Sequence, residues 1–507
     1  MLRRFALALL ATTSLSACAV TPDPITMQEH FQRAHDDYQK IYADYQPFAG
    51  ALTMDQAIAR ALRYNYDQQL AKTEVSLQER QLDLALSQML PRLAADAGYT
   101  WRSNDSASQS VSERTHQQSL EYSYSTERND RTADLQFSWN LLDFGVSYFQ
   151  AKQQGYRAFV AVERRRKVIN NIVKETRATY WKAATAQRLL PQLDPILADA
   201  EKALANSRKA AADSLQPKMQ SLEYQQSLLQ VVSQLRRIRT DLLQARVQLA
   251  ALINVPPETQ LILSGGQAAA KRPEKLDLNI KTLEELGLAL RPELREEAYQ
   301  EAIDRQSIYK EIIKMMPGIS ILASANYDSN KYLYNSSWNE IGVRATYNIV
   351  SLYQGPQAIA AAQAGVEVDK IRRLALSVAV LTQINVGYQQ YLRSLESLDT
   401  ALDVDDVQKQ ITQAVRAQND AAAISDIEKV RRFLNAASAE LERDRAYSEV
   451  QASVGNLYTS IGLDLLPPTI DTSDVNRLTG QVRDALADWD SGHLPPVPTL
   501  TEVDVAP

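Results

Sequence analysis

The side chains that ordinarily carry chemistry are few in this chain and far apart. Its four histidines, His30, His35, His116 and His493, are scattered, with no H-E-x-x-H pair to hold a metal. There is no Gly-rich Walker loop, so the chain carries no ATPase of its own. No catalytic residue, metal or cofactor is expected, and the chain reads as no enzyme. The single cysteine, Cys18, closes the run Leu15-Ser16-Ala17-Cys18. Before it stand Arg3, Arg4 and a short apolar run from Phe5 to Leu10, a secretory signal too short to span a membrane. Leu-Ser-Ala-Cys resembles the bacterial lipobox, whose cysteine becomes an acylated N-terminus after cleavage. An ordinary signal with a chance cysteine is the alternative. Several acyl chains together hold a protein firmly in a leaflet, and Ala19, where inner-membrane lipoproteins typically carry Asp, points to the outer membrane.

The elements around these residues are long. Over 507 residues Gly and Pro are sparse, and the net charge of −6 comes from mixed signs with no basic stretch, which excludes a nucleic-acid partner. Leu374, Val378, Leu381, Ile384, Tyr388, Tyr391, Leu395, Leu398 and Leu402 recur at spacings of three and four, the apolar seam of a coiled coil. The pattern breaks at 419–424. Ser425 then stands three residues before Glu428, a capping pattern that opens a new helix. Residues 356–463 therefore read as two antiparallel helices joined by a tight tip. The hairpin occurs twice: 146–253 repeats it 208 positions earlier, with Tyr180 on Tyr388, Ile253 on Ile461 and a tip at Ala212-Asp213-Ser214. Pro191 and Pro195 predict a kink in its first arm.

Ahead of each hairpin the period changes to two. Leu93, Ala95, Ala97, Tyr99 and Trp101 alternate with other residues, as do Leu135, Phe137, Trp139 and Leu141. Ile319, Ile321, Ala323, Ala325 and Tyr327 do likewise, as do Ile341, Val343, Ala345, Tyr347 and Ile349. The spacing predicts strands over about 92–103, 133–142, 318–328 and 340–350, the length a bilayer requires of a barrel strand. A soluble sheet with one wet face would alternate in the same way; aromatic residues near the strand ends and the lipobox favour the membrane. Four strands cannot close a barrel and lipid tolerates no open edge, so several chains must contribute. Three would give twelve strands.

The domain reading follows. Residues 1–17 form the signal peptide and 18–50 a lipidated tether. Residues 51–253 form the first repeat, with a helix from Thr53 to Met89, and 254–281 a linker. Residues 282–463 form the second repeat, and 464–507 a loosely ordered tail rich in Pro and Asp. Each long helical arm would span roughly 100 Å beside two stacked helices of roughly 55 Å. The fold class is mainly α with membrane β: duplicated long helical hairpins plus four strands per chain.

Strand pair, long hairpin and duplication together resemble the TolC-like outer-membrane efflux proteins, the outer membrane factor family, in its lipoprotein type. Leu52-Thr53-Met54-Asp55-Gln56-Ala57-Ile58 is similar to the family's opening helix, and Leu290-Arg291-Pro292-Glu293-Leu294 to the start of its second half. Leu142-Asp143-Phe144-Gly145 resembles its strand-to-helix turn, of which Leu352-Tyr353-Gln354-Gly355 is a copy lacking the Asp. The resemblance covers about 50–466. It implies a homotrimer in which a twelve-stranded outer-membrane β-barrel continues into a periplasmic α-helical barrel. Such a channel is passive and works with a periplasmic adaptor protein and an inner-membrane transporter. Its cargo would be small toxic molecules or drugs, or, alternatively, a protein exported by type I secretion; an inert envelope coiled coil is the remaining reading. The resemblance also implies tips that close the tunnel with acidic residues. Asp426 matches one such acid, although a charge favourable at a helix N-terminus explains it as well. The family's second acid falls on Lys429, which leaves Asp420 as its substitute. Asp213, Ser214 and Ser425 would sit on the tips that meet the adaptor.

Overall fold

The computed structural model describes residues 23–43, 46–47, 50–212, 218–264, 272–273, 275–419, 426–466, 474–492 and 494. After a short helix α1 (Met27–Ile41), the helix expected from Thr53 to Met89 is two helices, α2 (Met54–Tyr64) and α3 (Tyr66–Ser87). Thr53 opens α2 with a capping box closed by Gln56. Asn65 makes the break: its backbone is extended, and its side chain accepts from the amides of Asp67 and Gln68 to start α3. The second copy breaks in the same way, between α6 (Ile280–Leu290) and α7 (Pro292–Lys314), because Pro292 holds Arg291 out of the helical region.

Four antiparallel strands follow the sequence order β1-β2-β3-β4: Arg92–Trp101, Asn129–Asn140, Gly318–Asp328 and Ser337–Thr346. β2 begins earlier than its alternation suggested. β4 ends earlier, because Asn348 turns the chain by accepting from the Val350 amide at 3.1 Å. The long helices are α4 (Leu141–Ala212) and α8 (Ser351–Asn419), each antiparallel to a shorter partner, α5 (Lys218–Leu252) and α9 (Asp426–Ser460). Asn140 caps α4 five residues ahead of the expected start, accepting from Leu142 N at 2.9 Å. The helix then runs on through Pro191 and Pro195.

The main core lies at mid-length, where Ile58, Tyr180, Leu249, Leu283, Ile384, Tyr458 and Ile461 meet; a second lies nearer the tips around Leu189, Leu235 and Leu242. Two stretches read as connecting or loose are built into the main core. In the linker, Leu263 bridges Leu52, and the Tyr180 hydroxyl is 2.9 Å from the Leu52 carbonyl and 2.6 Å from that of Ser264. The tail, expected to be loosely ordered, contains helix α10 (Val475–Ser491), which buries Leu478, Val482, Leu486 and Trp489. Trp489 stacks on Tyr458 at 4.6 Å and its carbonyl accepts from the Tyr458 hydroxyl at 2.7 Å. Pro and Asp on either side of this segment dominate the composition and hide its amphipathic period.

Candidate functional site: a wall with two open edges

The strand register puts every apolar alternation on one face. Leu93 faces Phe137, Ala95 faces Leu135, Phe137 faces Ala323, and Ile321 faces Val343. The other face carries Asp96 opposite Asp134, then Gln136 opposite Ser324, Ser138 and Ser320. Trp338, an aromatic residue near a strand end, pairs with Asn326 and stands on this polar face rather than on the apolar one. The apolar face is bare: Ile341 is 82% exposed and Val343 72%. Among the described residues nothing covers it, and such a surface is far from what a water-facing sheet carries. Among the described residues no helix is long and apolar enough to cross a membrane.

The helices continue the sheet as a wall. Next to the strands the order across it is α3, α4, α7, α8; toward the tips it is α5, α4, α9, α8. One edge is thus α3 or α5 below β1, and the other is α8 below β4. Both edges expose apolar rows: Leu70, Leu77 and Leu84 on α3, and Val368, Ile371, Leu374 and Val378 on α8. The seam read from sequence on α8 is therefore divided. Ile384, Tyr391 and Leu398 are buried within the chain, while Leu374 and Val378 face outward.

Charge holds the wall's inner joints. Where α7 stacks on α9, Arg291 donates to the carbonyls of Thr459 and Ser460 and, at 2.7 Å, to Glu293. Burial opposes ionisation of the Glu293 carboxyl, but Arg291 and Lys167 hold it below the usual range. A polar cavity of about 380 Å³ opens beside this joint, lined in part by Lys167, Asn171 and Lys174. Nearer the tips, Arg188 of α4 pairs with Glu440 and Asp444 of α9, and Arg443 joins Asp444 to Asp405 of α8. Burial disfavours the Arg443 charge, yet the two aspartates raise its pKa further.

Of the residues singled out by sequence, Asp426 is the first residue of α9 and Lys429 lies in its first turn. Cys18, Asp213, Ser214, Asp420 and Ser425 lie outside the described residues. Sequence reasoning quoted Arg291 only as part of the Leu290–Leu294 motif, without its role at the joint, and missed Arg188 and Asp444. The one available signal was Pro292, which marks a break and so a pair of helix ends in need of partners.

A four-stranded sheet running into duplicated long hairpins is the architecture of the outer-membrane channels of the TolC-like type. The fold matches the Campylobacter jejuni CmeC outer membrane channel with a TM-score of 0.62, 13% identity, and coverage of 85% of this chain and 89% of that one. The open state of the Neisseria gonorrhoeae MtrE outer membrane channel gives 0.60 at 16% identity, covering 81% and 89%. CusC gives 0.58 at 15% identity, covering 83% and 95%. No protein-family model and no curated protein matches the sequence. At these identities the likeness is one of fold.

Proposed function

We propose that three copies of this chain close into a passive exit duct through the outer membrane. It works with a periplasmic adaptor and an inner-membrane transporter, and it exports small toxic molecules. One observation carries the reading: a sheet with one bare apolar face and two unpaired edges continues into helices whose edges are also unpaired and apolar. In lipid, edge amides and carbonyls find no water, so β1 must pair with β4 of a neighbouring copy. The same step brings the Leu70, Leu77 and Leu84 row of α3 against the Val368, Ile371 and Leu374 row of the next α8. Contact between different patches closes a ring when the rotation per copy allows it. Twelve strands of this length make a membrane barrel whose polar face lines the lumen.

Cys18, acylated, would anchor each chain beside the barrel. The test of the duct is twofold. Light scattering of the detergent-solubilised protein should give the mass of three chains, and reconstitution should give conducting channels in a planar bilayer. A folded monomer without conductance removes the proposal. For the cargo, deletion of the gene should sensitise the cell to small toxic compounds, whereas unchanged sensitivity with loss of a secreted protein would favour protein export.

A further inference from the structure

Between α7 and α8, about 15 Å from the strand end of α7 by helical rise, lies a group of charges that do not balance. The Asp369 side chain on α8 is 3% exposed. Its Oδ1 accepts from Arg372 at 3.0 Å, and its Oδ2 is buried with no donor. The Asp304 carboxyl on α7 meets it. Asp304 Oδ2 also lies 4.0 Å from where a Cβ on Gly365 would stand, one turn before Asp369. The surrounding charges are spoken for. Glu297 pairs with Arg372 at 3.3 Å, and Glu301 with Arg305 at 2.6 Å and Arg373 at 3.8 Å. From α4, Gln153 reaches the Ile303 carbonyl and Ser307. Arg157 donates to Gln154, and Glu163 pairs with Arg166 and Arg295. Glu297, Glu301, Asp304 and Asp369 thus face Arg305, Arg372 and Arg373, one carboxyl more than guanidiniums. Asp304 is the one with no basic partner among the described residues.

Two carboxylates in contact, one of them buried, resist ionising together unless a cation joins them. A proton on one turns a repulsive pair of acceptors into a short charge-assisted hydrogen bond and satisfies the orphaned Oδ2. We propose that Asp304 and Asp369 hold one proton between them, making the α7–α8 contact a proton-binding joint that tightens on acidification. Asp369 Oδ1 keeps its hydrogen bond from Arg372, and the shared proton lies between the Asp304 carboxyl and the orphaned Asp369 Oδ2. Burial first, then the Asp304 and Glu297 charges, push the Asp369 carboxyl up to about 6. Because the folded value lies above the ordinary 3.8, the stabilisation is fully present below that value and is lost as pH climbs through about 6.

The joint is tested on the full-length protein in detergent by following helix melting by circular dichroism at pH 5 and pH 8. Asp304→Asn supplies a permanent N–H donor and leaves the Asp369–Arg372 pair intact. The natural protein should melt several degrees lower at pH 8 than at pH 5. Asp304→Asn should melt alike at both and above the natural protein at pH 8, and Asp369→Asn should also lose the pH difference. In infrared difference spectra between the two pH values, a protonated-carboxyl band should appear at pH 5 and be missing from Asp304→Asn. An Asn variant that keeps the full pH difference, or a natural protein whose pH 8 loss is restored by a divalent cation, overturns the shared proton.

Discussion

Arg291 caps a helix to which it does not belong: its Nη1 donates at 2.8 Å to the carbonyl of Ser460, the last residue of α9, while its own backbone precedes α7. Carbonyls freed at one helix end are thereby satisfied by a guanidinium at the start of the next, whose charge Glu293 balances. Gly462 makes the approach feasible. Its φ is +70°, and a Cβ there would stand 2.7 Å from Arg291 Cα.

Removing that guanidinium takes a charged donor from two part-buried carbonyls and a carboxylate. Arg291→Met should cost about 2–4 kcal/mol, the sum of one or two charged hydrogen bonds. Arg291→Lys, with a single-point donor, should recover only part of it. Urea denaturation of the purified protein, read by circular dichroism, checks both.

The two faces of the sheet can be separated at adjacent residues. Val343 stands on the bare apolar face; Gly342 stands on the polar one, where a Cβ would meet nothing within 4 Å. Val343→Lys should cost roughly 2–4 kcal/mol at the bilayer midplane and Gly342→Lys little. The yield of heat-modifiable protein in outer-membrane fractions measures this, and equal yields would reverse the facing. Ala323, opposite Ile341, should behave like Val343. Gly98 is a poorer control for the polar face, since a Cβ there falls 2.7 Å from Thr132 Oγ1.

Helix α10 should act as a clasp on the mid-length core. Besides the Trp489 stack, Arg483 pairs with Asp55 at 2.7 Å and Asp490 with Arg177 at 2.7 Å. Trp489→Ala should cost about 3–5 kcal/mol. It should also unmask the Tyr458 hydroxyl, which burial pushes up to about 12. That raised value means stability is lost only as pH climbs above 10 toward 12. In the variant, spectrophotometric titration should show one tyrosine moving back toward its ordinary range.

If the proposed channel is closed at the hairpin ends, Asp420→Asn with Asp426→Asn should lower its cation selectivity after reconstitution, because carboxylates around a narrow axis favour cations. Lys429→Ala should raise conductance if the lysine pairs with Asp426 of a neighbouring copy. Bilayer recordings unchanged by all three substitutions would place closure elsewhere.

The strands were legible because a period of two survives in any environment: Leu93 to Trp101 and Ile319 to Tyr327 announce their shared face without a structure. The long hairpins were legible for the same reason. The break at Asn65 was not, since an asparagine between two helical patterns carries no mark of its own until its side chain is seen bonding ahead. Nor were the buried charges. Asp369 and Arg372 sit three apart on a helix, the spacing of any solvent-facing ion pair; only the packing of α7 against α8 buries Asp369 while Arg372 stays half exposed. Likewise, the 208-residue offset aligns Tyr180 with Tyr388, yet it is Tyr391 whose hydroxyl accepts from a linker amide, that of Leu276, at 2.9 Å.

The duplication carries one mechanical consequence. In the first copy the join between stacked helices is closed by neutral groups: Tyr66 and Asn254, one from each side, both bond the carbonyl of Ile41, at 3.4 and 2.8 Å. In the second copy the matching join is closed by Arg291, Glu293 and Lys167. A ring of three such chains would have a palisade of near six-fold outline whose hinges alternate in kind: every second one carries the half-exposed Lys167–Glu293 pair, which dissolved salt reaches, and the others are indifferent to it. Ionic strength would then act on the tube as a three-fold lever, flexing alternate staves while their neighbours stay stiff.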